Sequence, residues 1–297
     1  MERFEVGIVG GGPAGLSAAL VLGRCRRRVV LFDSGHYRNA AAHAVHGLLT
    51  REGMPPAELR RLGRAELARY PTVEVRAPSV VDARRDGAGF ALTVAGGGAV
   101  VCDKLLLATG LVDRLPEVAG ARALYGERLF HCPYCDGWEL RDQPLMAYAP
   151  GAAGAAYAAE VAQWSRDLVW CSDGPLAGAD VDRDRLARRG VAIDERRVVV
   201  FEPDGAGVVV RFSDGPPLPR RAVFFHLGCR PGSDLARRLG CALDDKGGVV
   251  VNIYEASSVP GLYVAGDASR DVLLVAVAIG EGAAAAVAIN AALAAAD

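Results

Sequence analysis

An apolar segment that runs into a glycine-rich turn near the start of the chain most constrains the fold. Phe4 to Val9 has the composition of a buried parallel strand, and it leads into Gly10-x-Gly12-x-x-Gly15 and an apolar helix. A second apolar strand, Val29 to Phe32, ends at Asp33. This order of strand, turn, helix, strand and acidic residue is that of a dinucleotide-binding βαβ unit. The sequence therefore predicts an α/β fold with a parallel sheet.

Each glycine of this turn has its own role in a nucleotide site. Gly10 allows the tight turn, Gly12 lets the backbone approach a pyrophosphate, and Gly15 permits close packing of helix on strand. The N-terminus of the helix then faces the phosphates, and Asp33 can accept a hydrogen bond from a ribose hydroxyl. We therefore expect a dinucleotide cofactor in this part of the chain.

Composition narrows the class of protein without identifying it. The chain has 297 residues, of which 51% are hydrophobic, and a net charge of -1. This length and composition predict a large core, divided between two domains. The balanced charge lacks the electrostatic footprint of a nucleic-acid-binding protein. Because a strand pattern follows Met1 to Glu5 at once, we expect no signal peptide and a cytoplasmic protein.

The apolar stretch from Val272 to Ala296 is long enough to suggest a membrane span. Glu281 divides the stretch, alanine and glycine dominate it, and Asn290 lies near its end. A tightly packed helix in a soluble core fits this composition better, because a charged residue inside a bilayer is costly. We therefore expect no membrane association.

Two of the seven cysteines are spaced for chemistry. Cys132-Pro133-Tyr134-Cys135 is a CxxC pair, Asp136 follows it directly, and it lies between the first glycine-rich turn and a later one. In such a pair one thiolate is stabilised by the other thiol and by nearby amide dipoles, so it becomes a nucleophile. A dithiol between two nucleotide-type turns predicts electron transfer between a disulfide and a dinucleotide cofactor.

A CxxC pair can also belong to a structural zinc site, a structural disulfide or a glutaredoxin. Zinc needs a second ligand pair at suitable spacing, and none follows, so we expect no metal. A structural disulfide is unusual in a cytoplasmic chain, and a glutaredoxin is a small single domain without a preceding dinucleotide unit. The redox-active interpretation is the one we adopt. The isolated cysteines, expected to be small buried hydrophobes, are Cys25, Cys102, Cys171, Cys229 and Cys241.

Four motifs in this order resemble the thioredoxin reductase family, in particular its low-molecular-weight branch. They are Gly10 to Gly15, Ala108-Thr109-Gly110, the CxxC pair with Asp136, and Gly266-Asp267. The resemblance covers nearly the whole chain and implies a homodimeric FAD enzyme with two Rossmann-like three-layer domains. By this resemblance residues 1–115 and 228–297 form a discontinuous FAD-binding domain, and 116–227 form a smaller, degenerate NAD(P)-type domain that carries the dithiol.

The resemblance also implies roles for individual residues. Cys135 is the sulfur that faces the flavin, and Cys132 is the one that exchanges with substrate. Asp136 has the position of the general acid, and His131 is a second candidate because the ordinary pKa of histidine is near neutrality. The implied cofactor-binding residues are Gly10, Gly12, Pro13, Ala14, Gly15, Asp33, Ser34, Arg38, Asn39, His46, Ala108, Thr109, Gly110, Gly266, Asp267 and Leu274.

The second glycine-containing turn departs from the family pattern. The family places another GxGxxG or GxGxxA there, and two arginines past the next strand hold the 2′-phosphate of NADPH. Here the strand Leu145 to Tyr148 leads into Ala149-Pro150-Gly151-Ala152-Ala153-Gly154. Alanine replaces the first glycine, and Pro150 lacks a backbone donor. After the strand Leu168 to Trp170 the chain reads Cys171-Ser172-Asp173-Gly174, with no arginine.

Two interpretations of this departure are open. Either Asp173 selects NADH by accepting from its ribose, or the domain has kept its fold and lost the pyridine nucleotide. We favour the second, because the turn and the acceptor are altered together. Two offshoots of the family are of this kind: the pyridine-nucleotide-independent thioredoxin reductases and the dithiol oxidases of disulfide-containing natural products. The segments that resemble them are Arg38-Asn39, His46-Gly47, Cys132 to Trp138 and Gly266 to Asp271.

The predicted function is therefore an FAD-dependent thiol–disulfide oxidoreductase that works without productive NAD(P)H binding. Its expected partner is a thioredoxin-like protein or a small dithiol or disulfide. The alternatives are a dithiol oxidase that passes electrons to oxygen, an NADH- or NADPH-dependent thioredoxin reductase, and a non-enzymatic flavin redox sensor. Turnover with any dithiol or disulfide would exclude the sensor.

Overall fold

The computed structural model describes residues 1–269 and 272–296, and the chain divides into two compact units. Unit 1 comprises residues 1–40, 47–112 and the chain from Arg230 onward. Unit 2 comprises residues 41–46 and 113–229. Unit 1 is thus discontinuous in sequence, and the short segment 41–46 groups with unit 2.

Strands and helices are numbered in chain order. The strands are Glu2–Val9 (β1), Val29–Phe32 (β2), Val73–Arg76 (β3), Val80–Asp86 (β4), Gly89–Val94 (β5), Ala99–Leu107 (β6), Leu111–Asp113 (β7), Leu129–Phe130 (β8), Leu145–Tyr148 (β9), Leu168–Cys171 (β10), Val191–Asp194 (β11), Val198–Asp204 (β12), Gly207–Phe212 (β13), Leu218–Arg220 (β14), Ala222–Phe225 (β15), Cys229–Pro231 (β16) and Leu262–Val264 (β17). The helices are Pro13–Arg24 (α1), Pro56–Leu67 (α2), Ala121–Leu124 (α3), Pro133–Asp136 (α4), Gly154–Val161 (α5), Arg183–Arg188 (α6), Leu235–Arg238 (α7) and Val275–Ala294 (α8). Short 3₁₀ turns cover Arg38–Ala41 and Gly266–Ala268.

Unit 1 is built on a sheet with the strand order β3-β2-β1-β6-β5-β4, and β17 pairs with β6. The pairs β1–β2, β2–β3, β1–β6 and β6–β17 are parallel, whereas β4–β5 and β5–β6 are antiparallel. All four residues of β2 are buried, which is typical of a parallel sheet covered on both faces.

Parallel pairing brings several predicted motifs to one edge of this sheet. β1, β2, β6 and β17 run in the same direction, so the residues that follow them share an edge. These residues are Gly10, Asp33, Ala108 and Gly266. Ligands of open α/β sheets bind at the carboxyl ends of the strands, so the topology places the motifs where a nucleotide would be held.

α1 and α8 pack closely because their contact residues are small. A Cβ added to Gly282 of α8 would collide with the backbone of Ala14 in α1. Ala278, Ala285 and Ile289 of α8 share one core cluster with the buried residues of α1. The glycine and alanine content of the C-terminal stretch thus serves the packing of two helices.

α8 is the helix among the described residues that is long and apolar enough to cross a membrane, judged by length and composition. Its Glu281 is buried and accepts a hydrogen bond of 2.7 Å from the backbone N–H of Gly266. A carboxylate that organises a turn inside unit 1, together with the packing on α1, supports the prediction of a core helix.

Unit 2 contains a parallel sheet with the order β11-β10-β9-β15-β8 and a three-stranded antiparallel sheet, β12-β13-β14. α5 follows β9 and packs against β9 and β10, in the manner of a βαβ unit. The predicted α/β class with Rossmann-like sheets is confirmed.

Candidate active site

The first glycine-rich turn of unit 1 combines tight packing with one open position. A Cβ at Gly10, where φ is +117°, would collide with the Ala108 carbonyl, and a Cβ at Gly15 would collide with the Gly10 carbonyl. At Gly12 a Cβ would meet no atom within 4 Å. Within residues 1–269 and 272–296, the N–H groups of Gly11 and Gly12 have no backbone acceptor. An open backbone with available donors before α1 fits the pyrophosphate of FAD.

Asp33 lies directly after β2, as predicted, and its side chain is buried. Tyr37 donates its hydroxyl to the two carboxylate oxygens at 2.8 and 2.9 Å, and the Gly35 N–H donates to Oδ1 at 3.1 Å. Arg64 of α2 completes the cluster with an ion pair to Asp33. Several acceptor positions of the predicted ribose-binding acid are thus filled by protein donors.

Sequence reasoning missed the residues of α2 in this cluster. Arg60 lies over the ring of Tyr37, with its guanidinium carbon 3.9 Å from the ring centroid, and donates to Asn39 Oδ1 at 3.0 Å. Arg60 and Arg64 are four residues apart, so they share one face of the helix. That spacing is visible in the sequence, but nothing local indicates that the face contacts the segment after β2.

Arg38 and Asp267 meet although 229 positions separate them. Arg38 Nη1 lies 3.0 Å from Asp267 Oδ2, and both side chains are largely buried. Gly266, with φ of +78°, starts the 3₁₀ turn that carries Asp267. The structure therefore joins two predicted flavin-site segments into one polar contact. Arg270 and Asp271 of the same predicted tail lie outside the described residues.

The remaining predicted cofactor residues lie around this edge of unit 1, with one exception. Pro13 is the first residue of α1, Leu274 precedes the first residue of α8, and Gly110 follows β6 with φ of +62°. Ala14, Ser34, Ala108 and Thr109 adjoin the turns already described. His46 is the exception, because it lies in unit 2, where its Nδ1 is 3.7 Å from Glu139 Oε1.

In unit 2, Cys132 and Cys135 form a disulfide at the short helix α4. Their Cα atoms are 5.3 Å apart, and both residues are half-buried. Cys132 precedes the first residue of the helix, and the N–H groups of Cys135 and Asp136 both donate to its carbonyl at 3.2 Å. A disulfide whose two residues are only half-buried is accessible to exchange, as a redox-active pair requires.

The five other cysteines are free thiols. The expected burial is confirmed for Cys102, Cys171 and Cys241 but was wrong for Cys25, which is exposed, and for Cys229, which is half-buried. Burial raises the pKa of Cys102 and of Cys171 to about 12. Thiols with such pKa values are poor nucleophiles at neutral pH, because the thiolate is the reactive form. Cys102 and Cys171 are therefore poorly suited to thiol chemistry.

Asp136, the predicted general acid, is the last residue of α4 and is half-buried. Burial raises the pKa of its carboxyl to about 6, and His46 opposes this rise. Glu139 adds to it, and His43 opposes it. A carboxyl with this pKa holds its proton much closer to neutrality than an ordinary aspartate, whose pKa is about 4.

The second turn, in unit 2, uses part of its backbone for hydrogen bonds within the chain, although a Cβ at Gly151 would meet no atom within 4 Å. Ala149, at the position of the missing glycine, is buried, and its carbonyl accepts from Trp170 Nε1 at 2.9 Å. The Gly151 N–H donates to the Ser172 carbonyl at 3.0 Å, and Pro150 has no N–H. Among residues 149–151, the donors of an ordinary nucleotide turn are therefore either missing or bonded within the chain.

Asp173, the candidate acceptor for an NADH ribose, is also engaged. Tyr148 donates its hydroxyl to Oδ2 at 2.7 Å, and the Val198 N–H donates to Oδ1 at 2.7 Å. Asp173 is held at φ of +53°, a conformation that is uncommon for residues other than glycine. The carboxylate ties β9 to the start of β12.

The fold and the dithiol define the class of protein, a disulfide oxidoreductase. A family model described as pyridine nucleotide-disulphide oxidoreductase matches residues 4–282, and the chain belongs to this family. The chain is 33% identical over 273 residues to thioredoxin reductase tcpT of Claviceps purpurea. The matched region covers 88% of this chain and 85% of that relative.

Solved structures agree with this assignment. The crystal structure of HlmI has 36% sequence identity and a TM-score of 0.93, with 98% of this chain and 93% of that chain covered. An oxidoreductase from Agrobacterium tumefaciens has 32% identity and a TM-score of 0.91, with 99% of both chains covered. The predicted resemblance is confirmed: the chain is a thioredoxin reductase-like flavoprotein and a disulfide oxidoreductase.

Proposed function

We propose that this enzyme moves two electrons between its Cys132–Cys135 pair and FAD, and that it does so without NADPH. FAD, when bound, supplies a two-electron acceptor and donor. The open turn at Gly12, the Arg38–Asp267 contact and Asp33 are the residues of unit 1 that would hold it. The observation that carries the NADPH-independent part is that residues 149–151 of unit 2 lack a free backbone donor, because their N–H groups are missing or bonded within the chain.

The dithiol half of the reaction is ordinary thiol–disulfide exchange. A substrate thiolate attacks the Cys132 sulfur, the Cys132–Cys135 bond breaks, and Cys135 leaves as a thiolate. The second substrate thiolate then attacks the substrate sulfur of the mixed disulfide and releases Cys132. Two electrons have then passed from the substrate dithiol to the cysteine pair, and the substrate leaves as a disulfide. Asp136 holds or delivers the proton at Cys135, a task suited to its raised pKa.

Two features of unit 2 support independence from NADPH. The donors around residues 149–151 are missing or bonded within the chain, so a pyrophosphate would have to displace them. Asp173 uses one carboxylate oxygen for Tyr148 and the other for Val198, so ribose binding would compete with two hydrogen bonds of 2.7 Å. Breaking such buried contacts typically costs about 1–3 kcal/mol each.

The test is anaerobic reduction of the purified, FAD-loaded protein, followed by flavin absorbance. Dithiothreitol should bleach the flavin, whereas NADPH and NADH at the same concentration should act at least roughly 100-fold more slowly. Rapid, stoichiometric bleaching by micromolar NADPH would contradict the proposal. In that event Arg197→Glu would show whether this exposed residue, whose charge acts on Tyr148, takes the place of the missing arginines.

A dithiol oxidase is the second candidate, and it is favoured by the same lack of free donors at residues 149–151. An enzyme without a nicotinamide site must obtain electrons elsewhere, and a substrate dithiol can supply them, with oxygen as the final acceptor. This candidate would be supported by aerobic turnover of a dithiol in which each disulfide formed consumes one oxygen molecule and yields one molecule of hydrogen peroxide. Reduction by a dithiol without oxygen consumption would instead favour transfer to or from a thioredoxin-like partner.

A further inference from the structure

His131, the residue before Cys132, contacts a buried acid and a tyrosine, all within unit 2. The Tyr125 hydroxyl donates to Asp113 Oδ2 at 2.6 Å. His131 Nδ1 lies 3.5 Å from that hydroxyl oxygen and 3.6 Å from the same carboxylate oxygen. The Asp113 side chain is 6% exposed and that of His131 is 28% exposed, so the acid is inside and the imidazole reaches the surface.

This geometry determines the tautomer of the imidazole. Tyr125 has one hydroxyl proton and gives it to Asp113, so its oxygen can only accept from His131, and an ionised carboxylate also only accepts. The tautomer that suits both acceptors carries its proton on Nδ1. The neutral ring then has an unprotonated Nε2, and a proton gained there produces an imidazolium that the Asp113 charge stabilises.

We propose that Asp113 and Tyr125 are positioning residues that keep His131 in this tautomer, so that His131 exchanges a proton with the Cys132 sulfur. When Cys132 leaves the mixed disulfide as a thiolate, the proton passes from Nε2 of the imidazolium to sulfur. In the reverse direction it passes from the thiol to Nε2. The inference rests on the proposed function, and it gives the two cysteines separate proton partners, His131 for Cys132 and Asp136 for Cys135.

Phe225 and Tyr157, two described neighbours of His131, supply no charge to the imidazole. The ring of Phe225 lies 6.4 Å from the imidazole, centroid to centroid. The Tyr157 hydroxyl donates to the His131 carbonyl at 3.3 Å, and burial raises the pKa of Tyr157 well above its ordinary value, which keeps it neutral. His226 stacks on the ring of Tyr157, with the two ring centroids 4.8 Å apart. Asp113 is thus the acid in contact with the imidazole.

The experiment measures the reactivity of Cys132 alone. In a Cys135→Ser background, iodoacetamide labelling between pH 5.5 and 9 is followed by mass spectrometry of the tryptic peptide 129–141, which contains Cys132 as its sole cysteine. Adding Asp113→Asn or His131→Gln should slow labelling at pH 6.5 roughly 10-fold, the effect of one unit in thiolate pKa. Tyr125→Phe, which keeps the ring and removes the hydroxyl, should slow it roughly 3-fold.

Two controls separate positioning from a general loss of structure. Glu202→Gln removes a carboxylate on β12 that pairs with Arg211 and should leave labelling unchanged. Asp113→Asn should add no further slowing to His131→Gln, because the acid acts through the imidazole. If Asp113→Asn fails to fold, Tyr125→Phe carries the test.

Unchanged labelling in Asp113→Asn and Tyr125→Phe would overturn the proposal, as would equal slowing in Glu202→Gln or additive effects with His131→Gln. Failure of the wild-type enzyme to oxidise or reduce any dithiol would instead count against the proposed function. The two failures are distinguishable, because iodoacetamide labelling of Cys132 requires neither flavin nor turnover.

Discussion

The two glycine-containing turns of the molecule follow the same local plan and differ in how much of their backbone is hydrogen-bonded within the chain. Residues 10–15 and 149–154 each connect a buried parallel strand to a helix. Each segment ends in a glycine, Gly15 or Gly154, where an added Cβ would collide with a backbone carbonyl. A Cβ at the middle glycine would meet no atom within 4 Å in either turn, at Gly12 or at Gly151. In the first turn the N–H groups of Gly11 and Gly12 have no backbone acceptor among the described residues. In the second turn Trp170 and Ser172 bond to the backbone, and Pro150 removes a donor.

The difference teaches that fold and ligand binding depend on different residues of one motif. Gly15 and Gly154 are both required for close packing of a helix on a strand, so the fold needs a glycine at each position. The residues between them decide whether amide groups stay available for a phosphate. On the proposed function, unit 2 keeps its Rossmann-like sheet without binding NADPH and holds the dithiol.

The largest expected effects come from the dithiol, because unit 2 should supply chemistry and not cofactor binding. Cys132→Ser and Cys135→Ser should each abolish dithiol turnover, by roughly 10³-fold or more, and retain FAD. Cys132→Ser should also show a long-wavelength charge-transfer band from the remaining Cys135 thiolate, whereas Cys135→Ser should show none.

Absorbance spectra of the two purified variants check the assignment. A band confined to Cys135→Ser would reverse the roles of the two sulfurs. Full activity in either variant would remove the CxxC mechanism altogether.

Asp136→Asn should slow turnover roughly 100-fold, as expected for loss of a general acid. The raised pKa of about 6 means that the protonated acid disappears as pH rises through 6, so the step that needs this proton should slow above that pH. The variant should lose this limb of the pH–rate profile. Stopped-flow measurements from pH 5 to 8 check this, and an unchanged limb in the variant would assign it to another group.

Gly12→Val should lower the FAD content of the purified protein roughly 10-fold or more, because the side chain would occupy the space that a pyrophosphate needs. The apo fold should persist, since that Cβ meets no atom within 4 Å. Pro150→Ala, the matched change in the second turn, should leave FAD content unchanged. Flavin absorbance and circular dichroism measure both; a yellow Gly12→Val protein would place the cofactor elsewhere.

The smallest effects are expected from replacing Asp33 and Asp173, two hydrogen-bonded acids that each follow a strand. Asp33→Asn should weaken FAD binding several-fold, whereas Asp173→Asn should leave FAD binding unchanged and lower the free energy of unfolding by about 1 kcal/mol. The second effect is expected because an amide has one acceptor oxygen for the two donors, Tyr148 and Val198. Flavin titration and urea unfolding are the measurements. Equal effects on FAD would erase the contrast between the turns.

Much of the fold was predictable from sequence because its signals are local. The apolar strand before Gly10, the glycine spacing and Asp33 together specify a βαβ unit, and the alanine-rich C-terminal helix is recognisable from its composition. The CxxC pair was predictable for the same reason, since its chemistry depends on a spacing of three residues.

The side-chain partners were not predictable, because they connect segments that are distant in sequence. No local pattern indicates that Arg64 pairs with Asp33, or that Tyr125 bridges Asp113 and His131. The same limit applies to Asp173, where sequence offered a ribose ligand and the structure shows a brace between two strands.

The deep burial of Cys102 and Cys171 has a consequence for the lifetime of the enzyme under oxidising conditions. With pKa values of about 12, their thiolate fraction at pH 7 is only about one part in 10⁵. A peroxide or a stray disulfide that reaches the protein therefore finds no competing nucleophile at these two positions. Repeated cycles of oxidation at Cys132 and Cys135 can proceed without these thiols being drawn into scrambled bridges, so damage should accumulate first at the surface.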